Sequence, residues 1–171
     1  MSTNSAPPRP GVQLVPAPAQ DRRVLRRLMS LYLHDLSEYT DFLEPGPDGS
    51  FTYEGLDLYW RSPSLIPLFI RSGDRLAGFL LLNKPPYTPH DIDCVVHEFF
   101  ILRADRGRGL GRDAAAACFA QYRGRYRLVQ LIRNVPAIGF WHSVYAGLNI
   151  SYEESRQTLA GESFLVQTFT V

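Results

Sequence analysis

The stretch from Val95 to Cys118 leaves the chain few options. It opens with an apolar, aromatic and β-branched run, Val95-Val96-His97-Glu98-Phe99-Phe100-Ile101-Leu102, which has the length and residue types of a buried strand. It leads into an alanine-rich run from Arg112 to Arg123 that reads as a helix, with Gly124 as its stop. Between the two lies a loop with glycines at Gly107, Gly109 and Gly111. Glycines let backbone N–H groups approach a ligand, and a helix start adds unpaired donors and the positive end of a dipole. A phosphorylated ligand is therefore expected here. The spacing Gly-x-Gly-x-Gly is not the dinucleotide fingerprint Gly-x-Gly-x-x-Gly, and no Gly-Lys-Ser/Thr follows, which excludes a nucleoside-triphosphate P-loop.

Composition narrows the class. A chain of 171 residues, 45% apolar and 20% charged, is expected to form one soluble globular domain with a substantial core. A net charge of +1 gives no general attraction to nucleic acid or to a membrane surface. Cys94 and Cys118 are too few for a disulfide scaffold and lack metal-ligand spacing, so no metal is expected and reduced thiols in a cytoplasmic setting are the default. No apolar run is long enough to span a bilayer, and no secretory segment is apparent.

Taken in order, residues 1–11 are rich in Ser, Pro and small residues and are expected to be a disordered tail, with the domain covering 12–171. Val12 to Val15 reads as a short strand, followed by a helix from an Asp21 N-cap to about Tyr39. Val24, Leu25, Leu28, Leu31, Tyr32 and Leu36 recur on it at helical spacing. Asp35 and Glu38 share a face near its C-terminus, the unfavourable end of the dipole for carboxylates. A short aromatic helix is expected near Tyr53 to Arg61, then a hairpin of Ile66 to Arg71 and Arg75 to Asn83, in which Gly78 marks a bulge. The strand Asp91 to Leu102 and the alanine-rich helix follow. Next come a strand Tyr126 to Arg133, a helix that Pro136 helps to start, and closing strands at Ile150 to Glu154 and Ser163 to Thr170. The order is that of an α/β domain with a mixed sheet.

Two motifs carry a family resemblance. Arg106-x-x-Gly109-x-Gly111 resembles the pyrophosphate-binding signature of the GNAT superfamily of acyl-CoA-dependent N-acyltransferases, and Asn134-x-x-Ala137-x-x-Phe140-Trp141 resembles its second motif, Asn-x-x-Ala-x-x-Phe/Tyr-Tyr. Together, in the right order, they are far more specific than either alone. Within the superfamily the chain is similar to a small group of predicted bacterial acetyltransferases of unassigned substrate, through Leu31 to Glu38, Glu98 to Leu102 and Phe140-Trp141. The resemblance implies a single-domain GNAT-like fold, a mixed, mostly antiparallel sheet of six to seven strands flanked by about four helices. It implies acetyl-CoA as cosubstrate, with its pantetheine arm along the backbone of Ile101, Leu102 and Arg103. The pyrophosphate would rest on Arg106, Gly107, Arg108, Gly109, Leu110, Gly111 and Arg112. Asn134, Ala137, Phe140 and Trp141 would lie against the arm.

The implied chemistry is transfer of an acetyl group to a primary amine by direct attack in a ternary complex. Glu98 and His97 are the candidate bases; alternation in a strand would put them on opposite faces, so at most one faces the acceptor. Glu98 ranks slightly ahead, because a carboxylate in so apolar a strand needs a reason to be there; its alternative role is a structural hydrogen bond. Many relatives carry a tyrosine acid where this chain has Trp141, whose N–H is not a useful proton donor. Tyr145 is the candidate replacement, with packing as its alternative role. Asp35 and Glu38 suggest a cationic amine, either a small molecule or a peptide amine. The resemblance allows a homodimer and calls for no nucleic acid or membrane. The alternative is an acyl-CoA-binding module with little or no turnover.

Overall fold

A computed structural model of the chain describes residues 11–171, so the expected tail, Gly11 apart, lies outside the described residues. A strand β1 (Val12–Pro16) leads through a one-turn 3-10 segment into helix α1 (Arg22–Leu36). Strands β2 (Leu65–Ser72), β3 (Arg75–Asn83) and β4 (Cys94–Ile101) follow, then helix α2 (Leu110–Gln121), strand β5 (Arg125–Leu131) and helix α3 (Val135–Leu148). Strands β6 (Tyr152–Leu159) and β7 (Glu162–Thr170) close the chain. One seven-stranded sheet results, in the order β1-β2-β3-β4-β5-β7-β6. Every neighbouring pair is antiparallel except β4 and β5. Among the described residues no helix is long and apolar enough to cross a membrane.

The two faces of the sheet carry separate cores. Helices α2 and α3 cover one face, where Leu68, Leu80, Val96, Ala114, Phe119 and Trp141 meet. Helix α1 and the segment after it cover β2 to β4 on the other, where Leu25, Met29, Phe69, Phe79 and Phe100 meet. Its stripe runs through Leu25, Leu28, Met29 and Leu33; Val24 and Leu31, expected inside, point outward. The expected helix around Tyr53 to Arg61 is only a 3-10 segment, Leu56–Trp60, so among the described residues three α-helices flank the sheet. A left-handed Gly55 (φ 82°) opens it and Pro63 follows soon after, leaving no length for an α-helix. The Asp21 side chain makes no capping hydrogen bond, because the 3-10 turn Ala19–Asp21 already runs into α1.

Two irregularities shape the middle of the sheet. The β2–β3 register jumps from Ile70↔Gly78 to Arg71↔Leu76, so Ala77 is bulged beside Gly78, where a bulge was expected. The β3–β4 register jumps from Leu81↔Glu98 to Leu82↔Val96, so His97 is an extra residue in β4. Gly78 also lies against β4, and a Cβ there would stand 1.9 Å from the Phe100 carbonyl oxygen. Gly78→Ala should therefore force β3 and β4 apart and lower the unfolding free energy by about 3 kcal/mol or more, as disruptive core substitutions do. Urea denaturation checks this.

Candidate functional site

Strand β4 parts from β5 early. The parallel pairing covers only Cys94↔Tyr126 and Val95↔Arg127, after which the two strands diverge. On the α3 side the gap is floored by rings: Phe99 stacks on Phe140 with centroids 5.6 Å apart, and its edge meets Trp141 at 5.2 Å. A cavity of about 600 Å3 opens there, bounded by the end of α1, the second half of β4, the loop into α2 and the first turns of α3. That volume suits a small-molecule or cofactor site.

The loop from β4 to α2 forms one wall. Gly107 (φ 71°) and Gly109 (φ 81°) both take left-handed conformations that side chains resist, and Gly109 is the N-cap of α2. At Gly111 a Cβ would come within 3.0 Å of the Phe140 ring, so the bare backbone lets α2 and α3 close on each other. Arg103, Arg106, Gly107, Gly109, Gly111 and Arg112 from this loop and the start of α2 line the cavity, as does Ile101. On the facing wall stand Asn134, Ala137, Phe140 and Trp141. Asn134 is the N-cap of α3, its Oδ1 accepting from the Ala137 N–H at 3.2 Å.

Behind this cavity, on the α1 face of β4, sits a half-buried acid, Glu98. The bulge at His97 breaks the alternation: Val96 and Phe99 face α2 and α3, while Glu98 pairs with Leu81 and turns toward α1. His97 turns the same way, its ring edge-on to Tyr53 at 6.3 Å, so the expectation that His97 and Glu98 face opposite sides does not hold. Burial pushes the Glu98 carboxyl up to about 7, against the opposing pull of hydrogen bonds from Tyr32 and Tyr53. Burial and the nearby Glu98 charge in turn raise the Tyr32, Tyr53 and Tyr59 hydroxyls. Partial desolvation moves His97 in the other direction, below its ordinary value, although its side chain is exposed. Tyr32 belongs to both groups, lining the cavity and acting on the Glu98 carboxyl.

The model of the Acetyltransferase (GNAT) family matches residues 27–144, more than half of the chain. The chain belongs to that family. Solved structures share its fold. An acetyltransferase from Thermus thermophilus superposes with a TM-score of 0.68 at 19% identity, over 94% of this chain and 97% of that one. A GNAT-family acetyltransferase from Streptococcus agalactiae 2603 gives 0.67 at 15% identity, over 94% and 95%. A ribosomal L7/L12 alpha-N-protein acetyltransferase in complex with coenzyme A gives 0.63 at 15% identity, over 93% and 92%. No curated protein sequence matches the chain. As a GNAT acetyltransferase it is an acyltransferase that uses acetyl-CoA. The site fits that cosubstrate: the glycine cradle has no side chain to block an approaching phosphate, and the splayed strand leaves a slot for a long thin arm.

Not every expected residue of the acetyltransferase reaches the slot. Leu102 has its N–H already bonded to the Ala77 carbonyl at 2.8 Å, so it continues the sheet rather than offering that donor to a ligand. The Leu110 side chain is buried in the α2–α3 core and can contribute only its backbone. Arg108 is exposed on the cradle loop. Tyr145 is fully buried, donates to Gln167 Oε1 at 2.9 Å, and does not line the cavity. Four residues past Trp141 on α3 it lies over β7, against Phe169 at 4.9 Å, and burial holds its proton tightly. It is therefore a packing residue and not the expected acid. Asp35 lines the cavity but is held by Arg103 and Arg106, which outweigh its desolvation and keep its carboxyl below the usual range. Glu38 lines the cavity close by, exposed.

Sequence reasoning missed the tyrosines around Glu98. Tyr32 sits in the apolar stripe of α1 and reads as core, and Tyr53 lies in an irregular segment that no periodicity places. Gly109→Val should weaken coenzyme A binding at least about thirtyfold, since a β-branched residue resists the left-handed conformation and fills the cradle. Arg112→Ala should cost only about threefold, as an exposed cation does. Isothermal titration with coenzyme A compares the two.

Proposed function

We propose that the protein acetylates a primary amine by direct attack in a ternary complex, with Glu98 as general base. Acetyl-CoA supplies an already activated acyl group, and the chain's own residues bind, orient and move a proton. The backbone amides of 106–112 would hold the pyrophosphate, with Arg112 beside them. Ile101, Asn134, Ala137, Phe140 and Trp141 would hold the arm. A carboxyl raised to about 7 beside this cavity is the observation that carries the reading. A base near neutral pH is both free to accept a proton and strong enough to take it. Glu98 does not itself line the cavity and Tyr32 does, so the proton travels through the Tyr32 hydroxyl or a water beside it. His97, exposed and next to Tyr53, would pass the proton outward. With Tyr145 turned away and an indole at Trp141, the departing thiolate takes its proton from water or from the one the amine releases.

Two measurements test this. Turnover should rise with pH through about 7, where Glu98 ionises. Glu98→Gln should abolish that limb and lower turnover about 10²–10⁴-fold, the usual loss on removing a general base. Coenzyme A affinity should hardly change. Retained turnover with an unchanged profile would remove Glu98 from the chemistry, and no turnover on any amine in wild-type protein would leave an acyl-CoA-binding module.

Stability should move the opposite way. The folded state raises Glu98 from 4.5 to about 7, so it binds the proton more tightly than the unfolded chain. Stability from this group is present below pH 4.5, falls as pH rises through the window to about 7, and is fully lost above it. Glu98→Gln cannot ionise, so thermal unfolding should show it more stable than wild type above pH 7 and converging on it in acid.

A further inference from the structure

The Asp35 carboxylate stands where α1 meets the cradle loop. Its Oδ1 accepts from Arg103 Nη2 at 2.7 Å and Arg103 Nε at 3.1 Å, and its Oδ2 from Arg106 Nη2 at 2.7 Å. Arg106 Nε also donates to the Ile101 carbonyl at 2.8 Å, and its guanidinium lies over the Phe100 ring. All three charged groups line the acyl-CoA cavity. The Asp35 side chain is 18% exposed, whereas those of Arg103 and Arg106 are 67% and 44% exposed. So the carboxylate is the fixed, inner member, and the guanidiniums are its open, outer partners. It sits in the last turn of α1, where the helix dipole disfavours a negative charge. A carboxylate there depends on its cations.

We infer that Asp35 exchanges partners during the reaction: phosphate oxygens of acetyl-CoA draw Arg103 and Arg106 away, and the vacated carboxylate receives the ammonium group of a cationic alkylamine acceptor. The inference rests on the acyl-CoA reading above. A guanidinium fork bonds phosphate as readily as carboxylate, and the cosubstrate brings several negative charges to the cradle that these arginines flank. Three arginines on the cavity wall, Arg103, Arg106 and Arg112, against Asp35 and Glu38 leave one surplus positive charge facing an incoming anion. Once they turn to it, Asp35 is an inner carboxylate at a helix C-terminus with only the His34 imidazole near it, Nδ1 3.8 Å from Oδ1, which is costly unless a cation arrives. An ammonium supplies it, with exposed Glu38 beside it on the same wall. The cavity repels a cation before the cosubstrate enters and attracts one afterward. By linkage the two ligands then tighten each other's binding by the same factor.

The test uses the full chain, unreactive coenzyme A and 1,4-diaminobutane as probes, read by isothermal titration. In wild-type protein, saturating coenzyme A should tighten diamine binding at least about tenfold. Asp35→Asn should bind coenzyme A about three- to tenfold more tightly, since its arginines start free, and its diamine affinity should no longer respond to coenzyme A. Should that variant not fold, Arg103→Gln carries the test: by partly freeing Asp35 it should raise diamine affinity in the absence of coenzyme A. Equal diamine affinity with and without coenzyme A in wild type, or no diamine binding with it present, would overturn the exchange while leaving the acyl-CoA site standing. So would Asp35→Asn binding coenzyme A no better than wild type. Failure of wild-type protein to bind coenzyme A at all would instead overturn the acyl-CoA reading, and the exchange with it.

Discussion

Strand β4 hydrogen-bonds to β3 along its length but to β5 only through Cys94 and Val95. Backbone N–H and C=O groups buried without partners are costly, so a strand that leaves its neighbour inside a sheet needs another partner on that side. Rings of Phe99, Phe140 and Trp141 keep the strands apart on the α3 side, and they cannot satisfy backbone groups. The gap is thus both apolar along its wall and polar along its edge. An extended ligand with amide groups and an apolar arm meets both demands, and pantetheine has that form. The glycine cradle, at the N-terminus of the helix that β4 feeds, is then where the charged end of such a ligand would come to rest.

The second half of β4 serves the other face of the sheet. Were Val96, His97 and Glu98 in strict alternation with no bulge, Glu98 would turn to the side of Val96, into the apolar core beneath α2 and α3. The bulge turns it instead toward Tyr32, Tyr53 and Tyr59, which supply hydroxyls in a desolvated setting. The two influences oppose one another: burial raises the carboxyl, and hydrogen bonds hold the rise in check. Their balance leaves a carboxyl raised to about 7. The bulge therefore lets His97 and Glu98 share the α1 face of β4.

These points mark what a single sequence can disclose. The strand-loop-helix around Gly107 to Gly111 was legible because its signals are local: glycine conformations, alanine propensity and an apolar run lie within two dozen residues. The Asn134 motif was legible for the same reason, since an N-cap three residues before the amide it accepts is a local device. The bulge was not legible, because a register shift belongs to two strands and leaves no mark on one. Tyr145 was misplaced because helical spacing relates it to Trp141 but does not say that the two lie on either side of the edge between cavity and core. Asp35 was read as a carboxylate waiting for a cation; its arginines come from 68 and 71 residues away along the chain.

That last distance explains why the pairing matters beyond local structure. Helix α1 and the cradle loop meet across the mouth of the cavity, and among the described residues their ionic contact runs through Asp35, Arg103 and Arg106. Ion pairs this exposed on the arginine side contribute little to stability, because water and salt compete for the guanidiniums. The fold does not need them: α1 is already anchored by Leu25, Leu28, Met29 and Leu33 against β2 and β3. A contact that holds the molecule together only weakly, yet sits where a polyanion must enter, is cheap to rearrange. The cosubstrate can then use its charge to reset the acceptor side without disturbing either core, which links the two halves of the site through electrostatics rather than through movement of the sheet.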